Sequence, residues 1–187
     1  MFASCIYVSQ EKPDGTKDTV EIVTDDTLNA MSDSAVLLVD TLRSDSLMIP
    51  AGSIETKNVQ PAQVVEFAKT LIGVPYKYAS TDPKQGFDCS GFITYVFNHF
   101  GIIVPRSSID FTNVGTEVLV EAAKPGDLIL FTGTDSTEKF IGHMGIVVTN
   151  QGQLEFIHST SGKKYGVTIT PLNDYYRSRY VKTVRVF

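Results

Sequence analysis

The sequence predicts an α+β fold, because helical patterns occupy its middle and strand patterns fill its last third. A chain of 187 residues with 42% hydrophobic and 20% charged residues has the composition of a globular protein. Its 11 Phe and 8 Tyr supply ample apolar surface for a core. Helices first and strands after them favour an antiparallel sheet with helices packed on it.

Residues 1–58 predict a small β-rich module that precedes the main domain, residues 59–187. Short strand-like runs at 5–8, 19–23 and 35–39 are separated by turn-rich segments. Such short strands are marginal on their own, so we expect the module to pack on another part of the chain.

Two helices are predicted at the start of the main domain. Pro61 suits the first turn of a helix and Gly73 the position after its end, with apolar residues at helical spacing between them. The second helix begins near Cys89 and runs to Phe100, where Gly101 ends it. Its apolar residues leave little polar face, which indicates a helix that is buried on most sides.

Five strands are predicted in the remainder of the main domain. Their segments are rich in β-branched and aromatic side chains and are bounded by turn residues. They cover residues 127–131, 143–149, 153–158, 167–169 and 180–187.

Charge and hydropathy exclude several classes of protein. The formal net charge of −5 argues against nonspecific nucleic-acid binding, which requires a basic face. No apolar run approaches the roughly 20 residues that span a bilayer, so we expect no transmembrane segment. The only two cysteines, Cys5 and Cys89, do not make a disulfide scaffold.

Cys89 and two histidines form the candidate catalytic group. The free N–H groups at a helix N-terminus favour negative charge, so we expect them to lower the pKa of the Cys89 thiol. His143 and His158 fall on two strands joined by a short turn. If Val148 pairs with Gln153, the same register places His143 directly opposite His158 on one sheet face. A nucleophile, a base and a group that orients the base are the parts of a catalytic triad.

The residues around Cys89 resemble the nucleophile motif of the NlpC/P60 family of papain-like cysteine peptidases. The segment 87–92 reads Phe-Asp-Cys-Ser-Gly-Phe. Segments similar to the other family motifs, G-x-P-Y-x-W, P-R-x-S, P-G-D-L, H-x-G-I and the strand with the third polar residue, follow the family order at 73–78, 105–108, 125–128, 143–146 and 156–158. Six matches in order make the resemblance specific, and it covers residues 60–187.

The resemblance implies a papain-like domain that hydrolyses bacterial cell-wall peptides with no metal or cofactor. The expected target is the γ-D-glutamyl–diamino acid bond of peptidoglycan stem peptides or muropeptides. Transferred residue by residue, the family pattern makes Cys89 the nucleophile, His143 the base and His158 the residue that orients the base.

Three further residues are expected to bind substrate. In relatives that trim short peptides, a Tyr before the nucleophile and the Asp and Ser beside it bind the free amino terminus, and Tyr76, Asp88 and Ser90 match them. An ammonium group in a narrow pocket requires a carboxylate and hydroxyls of this kind. Asp88 is equally suited to cap the helix N-terminus, and one carboxylate can do both.

The chain departs from the family pattern at several positions. Tyr78 replaces the usual Trp, Ala79 and Ser80 replace a Gly-Gly pair, and residues 112–113 stand where a Gln is common. Many relatives carry SH3-like domains before the catalytic domain, but residues 1–58 lack their Gly-rich pattern. These departures concern the pocket wall and the N-terminal module more than the reaction type.

Three alternative functions stay open. Cys89, His143 and His158 could bind zinc, although the usual closely spaced ligand pairs and a fourth ligand are missing from the pattern. The same fold could serve an amidase or acyltransferase, or a cell-wall-binding protein without turnover. The intact trio argues against the last of these.

Cys5 leaves the compartment open. Residues 2–5 resemble the end of a bacterial lipoprotein cleavage box, while the residues before Cys5 do not form a signal peptide. In one interpretation Cys5 follows a removed signal and carries a lipid anchor, and the protein acts in the cell envelope. In the other it is an ordinary cysteine, and the protein recycles peptides in the cytoplasm.

Overall fold

The computed structural model describes residues 52–134 and 139–187 together with the backbone of two N-terminal strands. The strands are β1 (Ile6–Glu11) and β2 (Lys17–Ile22), and they pair antiparallel. Both strands overlap runs that the sequence predicts to be strands, residues 5–8 and 19–23. The third predicted strand, 35–39, and Cys5 lie outside the described residues.

The chain divides into two compact units, Met1–Met48 and Ile49–Phe187. The predicted module of residues 1–58 stays a prediction. In the larger unit, the helices are α1 (Pro61–Lys69), α2 (Cys89–His99) and α3 (Asp174–Arg177). Its strands are β3 (Thr81–Asp82), β4 (Gly86–Phe87), β5 (Thr116–Val118), β6 (Leu128–Thr132), β7 (Ile141–Thr149), β8 (Glu155–Thr160), β9 (Gly166–Pro171) and β10 (Tyr180–Arg185). Short 3-10 helices cover Ser108–Asn113 and Val120–Ala122.

Six of these strands form one antiparallel sheet in the order β5–β10–β6–β7–β8–β9. The short strands β3 and β4 pair separately, just before α2. The predicted α+β fold, with two helices ahead of an antiparallel sheet, is confirmed, and all five predicted strands are present. None of the described helices has the length and hydropathy to cross a membrane.

The central strand β6 is buried on both faces of the sheet. Because successive side chains of a strand point to opposite faces, Leu128 and Leu130 join the core that includes residues of α1 and α2. Ile129 and Phe131 join a second core on the other face, which includes Tyr176 of α3. This double burial explains why the strand is an unbroken apolar run.

Helix α1 begins where the sequence predicts but ends before Gly73. Pro61 occupies the first turn, and the side chain of Gln63 accepts a hydrogen bond from the N–H of the N-cap residue Gln60 at 2.9 Å. After Lys69 the chain continues in single turns, and Gly73 adopts a φ of 91°, which favours glycine. Its N–H donates to the carbonyl of Val167 at 2.9 Å, so the chain after α1 is tied to β9.

A buried ion pair joins the turn before β6 to the last strand. The Asp127 carboxylate is 3% exposed and accepts hydrogen bonds from Arg185 Nε at 2.8 Å and Nη2 at 2.7 Å. It also accepts from the N–H of Lys124 at 2.7 Å, which closes the turn. One carboxylate therefore holds both the turn and β10.

We expect Asp127→Asn to lower the free energy of unfolding by about 1–3 kcal/mol, because the amide cannot replace three charge-assisted contacts in a buried place. Urea denaturation measures the change. Glu117→Gln is the matched control, since that side chain is 68% exposed and 3.8 Å from Lys182. Its effect should stay within about 0.5 kcal/mol, and equal losses for both variants would contradict the assignment.

Candidate active site

Asp88 fixes the start of the helix that carries Cys89. It is the N-cap residue of α2, and its Oδ1 accepts a hydrogen bond from the N–H of Gly91 at 2.6 Å. A Cβ at Gly91 would lie 2.1 Å from the carbonyl oxygen of Ser80 and 2.8 Å from Asp88 Oδ1. Glycine is therefore required here, since any side chain would push the helix away from its cap.

Arg106 pairs with the same carboxylate. Its Nη1 donates to Asp88 Oδ1 at 3.0 Å, and its Nη2 donates to Asp88 Oδ2 at 2.6 Å. Nη1 also donates to Ser90 Oγ at 3.0 Å. Asp88 and Ser90 are only 7% and 5% exposed, so their polar atoms are engaged within the protein.

Two buried or half-buried hydroxyls tie this region to the sheet. Ser159 Oγ on β8 donates to the carbonyl of Phe87 at 2.7 Å, next to the start of α2. Ser108 Oγ donates to the carbonyl of Ile141 at 3.2 Å, at the start of β7. The segments before and after α2 are thus fixed to the two strands that carry the histidines.

Cys89 and His143 line the same cavity, which has a volume of about 870 Å³. Both are half-buried, and Tyr76 lines the same cavity. The Cys89 thiol donates to the carbonyl oxygen of Gly142 at 3.8 Å, directly beside His143 in the chain. His158 is fully buried. The structure thus brings the predicted nucleophile and base to one cavity, with the third residue in the interior.

The two histidines are joined by a direct hydrogen bond. His143 Nε2 lies 2.8 Å from His158 Nδ1, and His158 Nε2 lies 3.0 Å from Thr170 Oγ1. If His143 is to accept a proton at Nδ1, its Nε2 must carry hydrogen and donate to His158. His158 then donates from Nε2 to Thr170. This arrangement leaves Nδ1 of His143 available as a base.

Aromatic side chains fix the planes of both imidazole rings. Tyr176 stacks on His143 with centroids 6.1 Å apart and meets His158 edge to face at 5.4 Å. Phe156 lies 4.8 Å from His158, and Phe131 lies 6.0 Å from His143. These contacts hold the rings in place and exclude water from their inner side.

The predicted register of β7 against β8 is wrong by two residues. Ile146 pairs with Ile157, and the ladder is irregular between Val147 and Thr149. The connection covers residues 150–154, which is longer than the predicted four-residue loop. The pair next to the turn, Thr149 with Glu155, is already displaced by three residues from the predicted register, and the irregularity beyond it reduces the displacement to two.

The displacement nevertheless keeps both histidines on one face, because a shift of two residues preserves the side-chain alternation. His143 and His158 are diagonal neighbours, and Gly145 lies beside His158. A Cβ at Gly145 would be 2.8 Å from the Ile157 carbonyl oxygen and 3.1 Å from His158 Cβ. The absence of a side chain at Gly145 leaves room for the His158 ring.

Burial raises the pKa of the Cys89 thiol to about 11, and the nearby Asp88 carboxylate acts in the same direction. The N–H groups of Ser90, Cys89 and Met144 act in the opposite direction and favour the thiolate. The predicted lowering of this pKa at the helix N-terminus is therefore wrong. Desolvation outweighs the helix-end N–H groups.

Burial also lowers the pKa of His143 to about 3, and the Arg179 cation acts in the same direction. The pKa of His158 is lowered well below its ordinary value by burial, by His143 and by Arg179. Burial therefore favours the neutral forms of the thiol and of both imidazoles in the resting site.

The arrangement gives little support to a zinc site. His143 Nε2 and His158 Nδ1 face each other and share a hydrogen bond, so these two nitrogens do not converge on a common ion. Within residues 52–134 and 139–187, no group of three His, Cys, Asp or Glu side chains is placed to hold a metal ion.

Several residues of the site were not identified from the sequence. Thr170 could have been noticed, because polar Thr168 and Thr170 alternate with Val167 and Ile169 along β9. No sequence signal pointed to Tyr176, since its position against the imidazoles depends on how α3 packs on the sheet.

A thiol at a helix N-terminus and an imidazole on an antiparallel sheet, both facing one cavity, are the arrangement of papain-like proteins. Residues 73–185 match the model of the NlpC/P60 family. The chain belongs to this family.

Over the aligned residues, several known proteins are about one third identical to this chain. Gamma-DL-glutamyl hydrolase of Bacillus subtilis is 37% identical over 123 residues, which are 66% of this chain and 29% of that protein. Murein DD-endopeptidase MepS/Murein LD-carboxypeptidase of Escherichia coli strain K12 is 34% identical over 116 residues, 61% of this chain and 56% of that protein. This chain therefore covers less than two thirds of either relative.

The fold is similar to solved structures of the same family. The crystal structure of an NlpC/P60 family protein from Bacillus cereus matches with a TM-score of 0.61 at 29% identity. The match covers 71% of this chain and 42% of that chain. The helices and six-stranded sheet are thus those of an NlpC/P60 domain.

We expect Arg106→Gln to make Cys89 less reactive and the protein less stable. The nearly buried Asp88 carboxylate would lose its cation, and its uncompensated charge would further disfavour the thiolate. Because the Arg106 side chain is 43% exposed, we expect a loss of only about 1–2 kcal/mol in the free energy of unfolding. Urea denaturation and the rate of iodoacetamide alkylation in a Cys5→Ser background measure both effects. Arg106→Lys keeps the charge without the paired contacts, so its alkylation rate and stability should lie between those of the wild-type protein and Arg106→Gln. An unchanged alkylation rate in Arg106→Gln would contradict this explanation.

We expect the alkylation rate of Cys89 to rise about tenfold for each pH unit between pH 7 and 9, because the thiolate is a minor species well below the raised pKa of about 11. Urea-unfolded protein should instead level off near the ordinary thiol pKa of about 8.5. A folded-state plateau below pH 8 would show that a thiolate–imidazolium pair exists in the resting enzyme.

Proposed function

We propose that this protein is a cysteine peptidase that cleaves peptidoglycan stem peptides at the γ-D-glutamyl–diamino acid bond. The observation that carries the proposal is the hydrogen bond between His143 Nε2 and His158 Nδ1. It leaves Nδ1 of His143 available at the cavity that also contains the Cys89 thiol.

The proposed reaction begins with attack of Cys89 Sγ on the carbonyl carbon of the γ-glutamyl amide. The thiol proton passes to His143 Nδ1, and the resulting imidazolium donates from Nε2 to His158. His143 then gives this proton to the leaving amine as the C–N bond breaks. Water, deprotonated by His143, hydrolyses the thioester and releases the glutamyl acid and the free thiol.

The surroundings of Cys89 support this chemistry. The N–H groups of Cys89, Ser90 and Met144 favour negative charge at the sulfur. Donors of this kind also favour the oxyanion that forms on the attacked carbonyl. Because burial favours the neutral thiol and the neutral imidazole, we expect the charge separation to occur together with attack on the substrate.

The names of the relatives support the substrate class. One relative is a γ-DL-glutamyl hydrolase and another a murein endopeptidase. Transfer of these activities to the present chain is part of the proposal, because the similarity covers only a part of each protein. Hydrolysis of a γ-glutamyl bond in a wall peptide combines the activities that the two names state.

The three predicted ligands of the substrate amine differ in their surroundings. Tyr76 lines the cavity and its ring is available to substrate. Asp88 and Ser90 are bound to Arg106, and Asp88 also caps α2. We assign Tyr76 to substrate contact. An ammonium-binding role for Asp88 and Ser90 stays a prediction, which faster cleavage of free than of N-acetylated peptides would support.

We expect Cys89→Ala to abolish cleavage of purified muropeptides, because no other group can form the thioester. His143→Ala should lower kcat by at least about 1,000-fold, because the base is lost. His158→Ala should leave measurable activity, because His158 acts only through its hydrogen bond to His143. Mass spectrometry of the products identifies the bond that is cut. His99→Gln is the control, because this third histidine stacks on Phe67 outside the cavity.

Full activity of Cys89→Ala would overturn the proposed function. Products cut at a bond other than the γ-glutamyl amide would overturn the assigned substrate but not the nucleophile. Loss of wild-type activity on EDTA treatment would favour the zinc alternative.

A further inference from the structure

The cavity that contains Cys89 and His143 has a positively charged wall. Lys163, Lys164 and Arg179 line it, and none of its described lining residues is acidic. The chain as a whole carries a formal charge of −5. The cavity therefore differs in sign from the average surface of the protein, and this difference favours an anionic ligand.

The two lysines are exposed at the tip of the hairpin between β8 and β9. This tip is compact, because the N–H of Gly162 donates to Thr160 Oγ1 at 3.1 Å and the N–H of Tyr165 donates to the Gly162 carbonyl at 2.8 Å. The lysines therefore stand on a folded turn at the rim of the cavity.

The base of this hairpin is attached to the segment that precedes Tyr76. Gly166 forms a β-bridge with Pro75, and the N–H of Val167 donates to the Val74 carbonyl at 2.8 Å. The Tyr165 ring lies 6.1 Å from the ring of Tyr76, which itself lines the cavity. The hairpin is thus held beside Tyr76 at the cavity.

Arg179 is held on the wall by neutral acceptors. Its Nη1 donates to the Tyr175 hydroxyl at 2.6 Å, and its Nη2 donates to the Thr132 carbonyl at 2.6 Å. Its Nε is buried without a hydrogen-bond partner among the described groups. In the part of the chain that the structure describes, no carboxylate pairs with this guanidinium, which is therefore suited to an incoming anion.

We propose that Lys163, Lys164 and Arg179 bind the free α-carboxylate of the γ-linked glutamyl residue, so that the enzyme selects glutamate-containing stem peptides over those in which this carboxylate is amidated. The inference rests on the proposed function. In a γ-linked residue the α-carboxyl group is not part of the chain, and it is separated by a few bonds from the carbonyl that Cys89 attacks. Amidation removes its charge without changing the scissile bond.

The test compares two peptides of the form L-Ala-γ-D-glutamyl-diamino acid, one with a free α-carboxylate and one with an α-amide. We expect the wild-type kcat/KM to favour the acid by about tenfold and this preference to shrink in 0.5 M salt, which screens exposed charges. Lys163→Gln/Lys164→Gln should reduce the preference by about threefold to tenfold. The matched control, Lys84→Gln/Lys124→Gln, changes two exposed lysines outside this cavity and alters the net charge equally. It should keep the preference.

Equal cleavage of acid and amide by the wild-type protein would overturn the inference while leaving the proposed function intact. A preference that survives in Lys163→Gln/Lys164→Gln would overturn the assignment of these lysines. If neither peptide is cleaved, the proposed function fails, and calorimetric binding to Cys89→Ala decides the inference separately. Tighter binding of the acid that depends on the two lysines would support it, and equal affinities would overturn it.

Discussion

The ion pair between Asp88 and Arg106 is the interaction on which the geometry of the candidate site depends. A single carboxylate caps α2 through the N–H of Gly91 and accepts hydrogen bonds from both terminal nitrogens of the guanidinium. Because Cys89 is the first residue of that helix, the cap determines where the sulfur lies. The same guanidinium binds Ser90, so the loop that carries Arg106 and the first helical turn form one hydrogen-bonded unit.

This arrangement has an electrostatic consequence for the nucleophile. A carboxylate next to a thiol disfavours the thiolate, and the Asp88 charge does raise the Cys89 pKa. Arg106 supplies the opposite charge within hydrogen-bond distance of that carboxylate. The protein therefore gains a firm helix start from Asp88 while Arg106 limits the effect of its charge on the sulfur.

The histidine pair shows a similar conflict between geometry and charge. Phe156 and Tyr176 hold the two rings so that one hydrogen bond joins them, but the same burial opposes protonation of His143. Full exposure would ease protonation, yet it would free the rings to rotate and expose the hydrogen bond to water. The structure thus favours a fixed orientation of the two rings over easy protonation of His143. The His143 imidazolium is stabilised during the reaction by the hydrogen bond that it donates to His158.

The sequence was sufficient to locate the two longer helices and five of the six strands of the large sheet, whereas the short elements β3, β4, β5 and α3 were not predicted. Helical spacing located α1 and α2, and alternation with turn residues located the strands that carry His143 and His158. The motif around Cys89 then indicated the family, which the match over residues 73–185 supports independently.

The sequence was not sufficient where long-range packing decides the outcome. The β7–β8 register depends on the length of the connection 150–154 and on an irregularity in the ladder, neither of which is marked by a residue pattern. The Cys89 pKa depends on burial by distant elements. Likewise, the positions of Tyr176 and Arg179 follow from the docking of α3 and the segment after it. Local patterns predict secondary structure, whereas these features require the assembled tertiary structure.

Arg179 connects the charge of the cavity wall with the chemistry of the base. A cation near His143 makes protonation of that imidazole less favourable, and the proposed reaction requires this protonation. A substrate carboxylate beside Arg179 would offset the cation and raise the pKa of His143 toward its ordinary value. An anionic substrate would then be bound and would also assist the transfer of the thiol proton. A neutral peptide in the same place would not offset the charge of Arg179, which would continue to oppose protonation of His143. The favourable interaction between the carboxylate and the cavity wall would then stabilise the step that forms the imidazolium. Stabilisation at this step accelerates the reaction.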